Sequence, residues 1–225
     1  MTDETSGATQ WQGRTVERSL KTARQRAISR GNAFIAASAD LLRTTGKADF
    51  TVQEVVDRSG LSLRSFYQHF ATKDDLLLAL VEESVRLHVA AARAGVERET
   101  DPVAKLRSLL RSLYGSEETD DPASRGMALF QWHLAETRTD EFASILQPYA
   151  DITVEVLEGG VEAGVFRSDM SIQVMAALVV HTLFSLLDMR VLGIHLSQDP
   201  VTADHIVAWC LSGTTVGTRG PGPSG

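Results

Sequence analysis

Apolar residues recur at steps of three and four along most of the 225-residue chain, and its short β-branched runs show no alternation at period two, so the pattern predicts helices and no sheet. The first helix is expected from Thr22 to Thr45, where Phe34, Ser38 and Leu41 form one stripe with Ile35, Ala39 and Leu42 beside it. Gly46 ends it as a left-handed cap. Thr51-Val52-Gln53-Glu54 has capping-box spacing, in which hydroxyl and carboxylate satisfy exposed amides reciprocally. The helix it opens turns Val52, Val55 and Val56 inward and lasts barely two turns before Ser59-Gly60. Ser62 caps another short helix with Leu63, Phe66 and Phe70 on its inner side. Thr72 to Asp75 repeats the box and starts a long helix to about Ala94, with Leu76, Leu77, Leu80, Val81 and Leu87 as its buried stripe.

Further helices are expected near 102–114, 122–137, 139–163, 171–193 and 200–212. Pro102 and Pro200 suit entrances, Gly115, Gly164 and Gly193 suit exits, and Pro148 should kink or divide its segment. The chain therefore reads as all-α: a flexible basic arm at 1–21, an N-terminal domain at 22–80 whose last helix continues to about 94, a second helical domain at 95–213, and a disordered tail at 214–225.

Composition narrows the class. With 43% hydrophobic and 23% charged residues the chain has ample material for a core. Cys210 is the only cysteine, which excludes an internal disulfide and a cysteine-cluster metal site and fits a reducing cytoplasm. No apolar run approaches the roughly 20 residues that cross a bilayer, and the polar N-terminus lacks the apolar core of a secretory signal, so no membrane partner is expected. Nor is an enzyme, a cofactor or a metal: there is no Gly-rich phosphate loop, HExxH, G-x-S-x-G elbow or carboxylate–histidine set at metal spacing, and Gly159-Gly160 follows no strand.

Charge divides the chain sharply. Arg14 to Lys73 holds eleven Lys and Arg against five Asp and Glu, a local net of +6, whereas Asp74 to Gly225 nets -11. A basic front on an acidic body is the asymmetry expected when one end meets phosphate. The competing class is a helical ligand carrier that never touches DNA, and a gel shift with fragments upstream of the protein's own gene separates the two.

The informative block is FTVQEVVDRSGLSLRSFYQHFATKDDLLL, residues 50–78, where two short helices meet at Gly60. A helix as short as the second is not stable alone, so neighbours must hold it and leave its outer face free for a groove. Residues 27–80 resemble the DNA-binding domain of the TetR family of bacterial regulators. The resemblance is carried by Thr51, Gly60, Ser62, the run Phe66-Tyr67-Gln68-His69-Phe70, and Lys73 followed by Asp75-Leu76. It implies a three-helix helix-turn-helix with Leu63, Arg64, Ser65, Tyr67, Gln68 and His69 facing double-stranded DNA and Phe66 and Phe70 packed inward. Thr51, Tyr67 and Lys73 would then contact phosphates, and Arg64 and Gln68 base edges, since Arg suits guanine and Gln adenine. Arg64, Val56 and Ser59 depart from the small residues frequent in the family, which leaves the operator sequence open. The basic residues Arg14, Arg18, Lys21, Arg24, Arg26 and Arg30 suit either an arm entering the minor groove or a solvated extension that only raises nonspecific affinity.

For the second domain the resemblance implies a helical bundle that binds a small-molecule effector and forms a homodimer. Met127, Phe130, Trp132, His133, Tyr149, Met175, His181, Phe184 and Asp188 are the candidate pocket residues, with core packing as the alternative. Leu134, Phe142, Ile145, Leu178 and Leu187 are further candidates for the same lining. His181 and Asp188, seven apart, either fix a ligand's polar head, satisfy neighbours or sit at a dimer seam. The last two helices are the expected interface, with Val179, Leu183, Leu186, Val191, Ile206, Val207 and Trp209 supplying apolar surface. Repression relieved by a hydrophobic or amphipathic effector is the expected mode, with activation open.

Overall fold

The computed structural model describes residues 10–114, 122–194, 197–199 and 201–215. They form α1 (Gln10–Thr45), α2 (Val52–Ser59), α3 (Leu63–His69), α4 (Lys73–Glu97), α5 (Pro102–Tyr114), α6 (Pro122–Thr137), α7 (Thr139–Glu162), α8 (Ile172–Val191) and α9 (Ala203–Thr214). Among these residues the one extended pairing is a single antiparallel bridge between Phe166 and Thr215, so the fold is all-α. The chain divides into two compact units, Met1–Leu41 with Asp49–Leu77 and Leu42–Ala48 with Leu78–Gly225. α1 and α4 each contribute to both.

The N-terminal unit is built around aromatic packing. Phe34 and Phe66 are fully buried, their rings edge to face at 5.4 Å, and Phe70 approaches Phe34 at 6.3 Å. Burying each such side chain stabilises by about 1.5–3 kcal/mol, enough to hold helices too short to persist alone. Leu41, Phe50, Val55, Val56, Leu76 and Leu77 complete this core. Local chemistry sets the boundaries. Thr51 and Glu54 close their capping box, with Glu54 N donating to Thr51 Oγ1 at 3.2 Å and Thr51 N to Glu54 Oε2 at 2.6 Å. Gly60 adopts φ 68°, where a side chain would be strained, and donates to Val56 O at 3.1 Å. Ser62 Oγ accepts from Ser65 N at 3.1 Å, and Thr72 and Asp75 form the second box ahead of α4.

The second unit packs Leu106, Leu109 and Leu110 of α5 against Ile152, Val156 and Leu157 of α7, with Met175, Ala176, Val179 and Leu183 of α8 and Ile206, Val207 and Cys210 of α9. Phe166 presses so closely on α7 that a Cβ at Gly160 would overlap its ring.

Several expectations are corrected. α1 begins at Gln10 rather than Thr22, so residues 10–21 are helical and not a loose arm; residues 1–9 lie outside the described residues. This stretch has no apolar stripe to announce a helix, yet its Arg, Glu, Leu, Lys and Gln residues all favour one. Leu87 is exposed, because the inward face of α4 runs through Leu77, Val81, Val85 and Ala92. Leu63 is exposed rather than inward. α7 is not divided at Pro148: one helix runs from Thr139 to Glu162, and its buried positions begin at Tyr149. α9 starts behind a Thr202–His205 capping box and not at Pro200, which lies outside the described residues, as do Gly115 and the tail from 216 onward. Thr214, placed in the tail from sequence, is a buried residue of α9. By length and composition α8 is apolar enough to cross a membrane, although His181, Asp188 and Arg190 interrupt it and four of its residues are buried in the bundle.

Candidate nucleic-acid interface

α3 has two unlike sides. Phe66 is fully buried and Ser65 is buried beside it, whereas Leu63, Arg64, Tyr67 and Gln68, at positions i, i+1, i+4 and i+5, are exposed along one face. The Tyr67 ring stands edge-on to Phe66 at 5.3 Å, which fixes its direction and leaves its outer edge in solvent. The face therefore offers a guanidinium, a phenol, a carboxamide and an aliphatic group. Those groups suit guanine, phosphate, adenine and a thymine methyl respectively.

Two of the residues expected on this face are not there. The Ser65 side chain is turned into the core, and its hydroxyl has no hydrogen-bond partner. Of the two positions flanking the Phe66 anchor, Ser65 falls on the core side and Tyr67 on the solvent side, which the run of six expected contacts did not allow for. His69 is half-buried and bridges two elements: Nδ1 lies 2.8 Å from Ser65 O and Nε2 lies 3.0 Å from Ala27 O. Its role in the structure is to tie the end of α3 to α1, a long-range contact that sequence spacing does not show.

The other members sit at the rim. Thr51 is exposed, but its hydroxyl already donates to Glu54 Oε2 at 2.8 Å and accepts from Glu54 N, so capping occupies it. The Thr51 amide and hydroxyl, aided by Lys73, hold the Glu54 carboxyl below its ordinary range. Lys73 Nζ donates to Phe50 O at 3.2 Å and lies 5.6 Å from the centre of the Phe50 ring, half-buried at the start of α4. Ser62 is exposed and serves as the α3 cap. Arg58, not singled out from sequence, pairs with Asp40 at 2.6 Å and braces α2 against α1.

In the second unit the expected pocket residues separate. Tyr149 is buried, edge-on to Phe184 at 5.2 Å, with its hydroxyl 3.3 Å from His88 Nδ1. Burial pushes the Tyr149 phenol up to about 12, and desolvation lowers the His88 imidazole, although one edge of His88 still meets solvent. His88 escaped the sequence reading; its signal was a polar residue close to the buried positions Val85 and Ala92 of α4. Trp132, exposed, hydrogen-bonds half-buried Asp188, whose carboxyl is raised by burial and partly restored by that bond. Phe130 is buried, Met127 half-buried, and His133 exposed beside Phe130 at 6.1 Å.

Met175 and His181 lie elsewhere. Met175 lines a cavity of about 430 Å³ with Met170, Leu178, Trp209 and Cys210. His181 lines a groove of about 640 Å³ with Leu186, His205, Ile206 and Trp209. His181 and Asp188 therefore do not converge on one ligand head: the first faces α9 and the second meets α6. Arg190 stacks over Tyr114 at 4.2 Å and donates to Tyr114 O at 3.0 Å.

The expected interface residues are also redistributed. Val179, Leu183, Ile206 and Val207 are buried in their own chain's core, while Leu186 and Val191 are half-buried and Trp209 is 71% exposed. The outward apolar positions are instead Val174, Leu178, Val201 and Trp209. α8 is apolar around most of its circumference, so composition did not distinguish its inner face (175, 179, 183) from its outer one (174, 178, 181, 185).

Residues 34–80 match the model of bacterial regulatory proteins of the TetR family. The chain is 23% identical over 162 residues to the transcriptional repressor KstR2 of Mycolicibacterium smegmatis, covering 68% of this chain and 76% of that one. It is 31% identical over 96 residues to the transcriptional activator FasR of the same organism, 43% of each chain. The FadR regulator of Bacillus subtilis, solved in complex with stearoyl-CoA, shares the fold at a TM-score of 0.65 and 15% identity, covering 80% of this chain and 97% of that one. The matched segment contains the short aromatic-anchored α3 with its exposed Arg64 and Gln68, and it is a DNA-binding domain of the TetR family of bacterial regulators.

Proposed function

We propose that this regulator is a homodimeric repressor that grips a near-palindromic operator with two α3 helices and is released by a small hydrophobic or amphipathic effector. The observation that carries the DNA reading is the exposed face of α3, where Arg64 and Gln68 supply the two side-chain types best suited to base edges and Tyr67 a phosphate donor. Lys73 and the Thr51 end of α2 flank it as backbone contacts, with Leu63 reaching a base methyl. Ser62 acts through its cap.

Dimerisation is supported by the outer face of α8 and α9, where Leu178 and Trp209 are 55% and 71% exposed. A two-fold dimer that reads two half-sites needs its recognition helices about one DNA turn apart. The KstR2 relative is a repressor, which favours repression. For the effector, the reading is supported by polar handles that reach from the bundle's edge toward its apolar interior, the Tyr149–His88 pair and the Trp132–Asp188 pair, with Phe184 and Phe130 beside them. The stearoyl-CoA held by the similar Bacillus subtilis fold makes an acyl-chain compound a sensible first class to screen. A ligand that prefers a form unable to engage DNA weakens operator binding by the same factor by which DNA weakens ligand binding.

The test is operator binding by the Arg64→Ala, Tyr67→Ala double variant. Retained folding with a loss of about 10²-fold or more supports the reading; an unchanged grip on the promoter of its own gene overturns it. An effector that saturates the protein without altering operator affinity overturns the switch.

A further inference from the structure

The most exposed part of the N-terminal unit is the first half of α1. Every side chain described from Trp11 to Arg30 is exposed, including the apolar Trp11, Leu20 and Ile28 at 60%, 65% and 53%. Among the described residues this half of the helix has no buried face. From Gln10 to Ala27, where the His69 contact secures it at 3.0 Å, it extends about 25 Å at 1.5 Å per residue.

Its charge is one-sided in sign. Arg14, Arg18, Lys21, Arg24, Arg26 and Arg30 are set against Glu17 alone. Arg14, Arg18, Lys21 and Arg24 follow at steps of four, three and three, within about a third of the circumference, and Glu17 shares that sector. Arg26 and Arg30 lie on the other side. Cations in the first turns of a helix oppose its dipole, and no acidic residue stands in the first turn of α1. A solvated surface helix normally buries a stripe and interleaves both signs; this segment does neither. An anionic polymer running beside it supplies the missing counter-charge.

We propose that the N-terminal half of α1 is a second DNA-binding element, a helical rod whose cations contact duplex phosphates beyond the base pairs read by α3. The proposal rests on the DNA reading above and deepens it. An extended arm threads the narrow minor groove; a helix is about 10–12 Å across with its side chains, wider than the roughly 6 Å of that groove, so the rod lies against the backbone. The His69 contact with Ala27 ties the rod to the end of the recognition helix, so both elements are directed from one compact unit.

The experiment compares the full chain with a variant carrying Arg14→Gln, Arg18→Gln, Lys21→Gln and Arg24→Gln, a second variant with Ala23→Pro that keeps every cation, and Arg64→Ala. The probe is a duplex selected by the full chain from a random-sequence pool, flanked in one version by A·T and in another by G·C pairs. Binding is measured across a range of salt concentrations. Removing one phosphate interaction makes the slope of log K against log salt shallower by about 0.9, so the glutamine variant is expected to flatten by up to about 3.6 per protomer while still preferring the selected duplex. Ala23→Pro is expected to flatten the slope as well, because the rod is broken. Both variants are expected to hold the same α2–α4 unit, since the substituted residues bury nothing.

An unchanged slope in the glutamine variant overturns the proposal, and so does an unchanged slope in Ala23→Pro. Dependence on the flanking A·T or G·C composition that disappears with the four charges also overturns it, in favour of groove reading. A drop in protein mass without DNA on removing the charges does the same, since the rod's partner is then a second copy. If the unmodified chain selects no duplex, or Arg64→Ala loses no preference, the fault lies with the α3 reading and not with the rod.

Discussion

Ser65 and His69 are neighbours of the exposed α3 residues, yet each does a different kind of work. Ser65→Ala removes a buried hydroxyl that makes no hydrogen bond, so the expected outcome is unchanged operator affinity and a stability equal to or about 1 kcal/mol above the parent, measured by urea unfolding. His69→Ala deletes contacts with two carbonyls; it is expected to cost about 1–2 kcal/mol and to weaken operator binding through misplacement of α3, with the Arg64 and Gln68 side chains still present. Equal effects for the two substitutions contradict this division. At Asp188 burial raises the carboxyl above its ordinary 3.8. Below that value both folded and unfolded forms are protonated and the native state bears no penalty. As pH rises through the raised value the native chain must ionise a half-buried group, and stability falls relative to that limit. Asp188→Asn, which still accepts from Trp132, is therefore expected to have a higher Tm than the parent at neutral pH, with the gap closing as pH is lowered toward 3.8. A constant gap rules out the ionisation as its cause.

Two adjacent glycines near the end of α7 separate helix propensity from packing. Nothing lies within 4 Å of a Cβ built on Gly159, whereas one on Gly160 overlaps the Phe166 ring. Gly159→Ala is expected to stabilise by roughly 0.5–1 kcal/mol, the ordinary gain of Ala over Gly in a helix. Gly160→Ala is expected to destabilise by about 1–3 kcal/mol as Phe166 is pushed from its site. Thermal unfolding of the two variants reads opposite signs, and the same sign in both removes Phe166 as the reason for the glycine. α2 and α3 obey the other limit: too short to persist alone, they survive because Phe66, Val55 and Val56 are buried in the N-terminal core while caps at Thr51, Ser62 and Gly60 satisfy their ends.

Assembly belongs to the scale of the whole molecule. Leu178 and Trp209 are the most exposed large apolar side chains described on α8 and α9. Leu178→Glu with Trp209→Glu places charge on that face without touching the core, so helix content is expected to stay and the sedimenting mass to halve. Operator affinity is expected to fall by about 10²-fold or more, because two linked half-site contacts become independent. A dimer that persists in this double variant moves the interface elsewhere. The charge division of the chain has the same scale: the cations proposed to meet phosphate are gathered up to Lys73, and an acidic remainder would discourage unspecific contact of the body with DNA.

Helix number, order and most boundaries were legible because they follow from local chemistry: stripes at steps of three and four, boxes at Thr51 and Thr72, a Ser62 cap, and left-handed glycines at 46, 60, 164 and 193. The regulatory class was legible too, since the Phe66–Phe70 run and its caps are contiguous. What spacing leaves open is direction. An apolar helix such as α8 does not say which side meets its own core, so Val179 and Leu183 read as surface and proved interior. A polar side chain does not name its distant partner: spacing did not show that His69 bonds to Ala27, nor that Asp188 meets Trp132 while His181 faces α9. Periodicity is a property of one segment; burial and hydrogen-bond partners are properties of segments that meet from far apart in the chain, and they exist once the helices have packed.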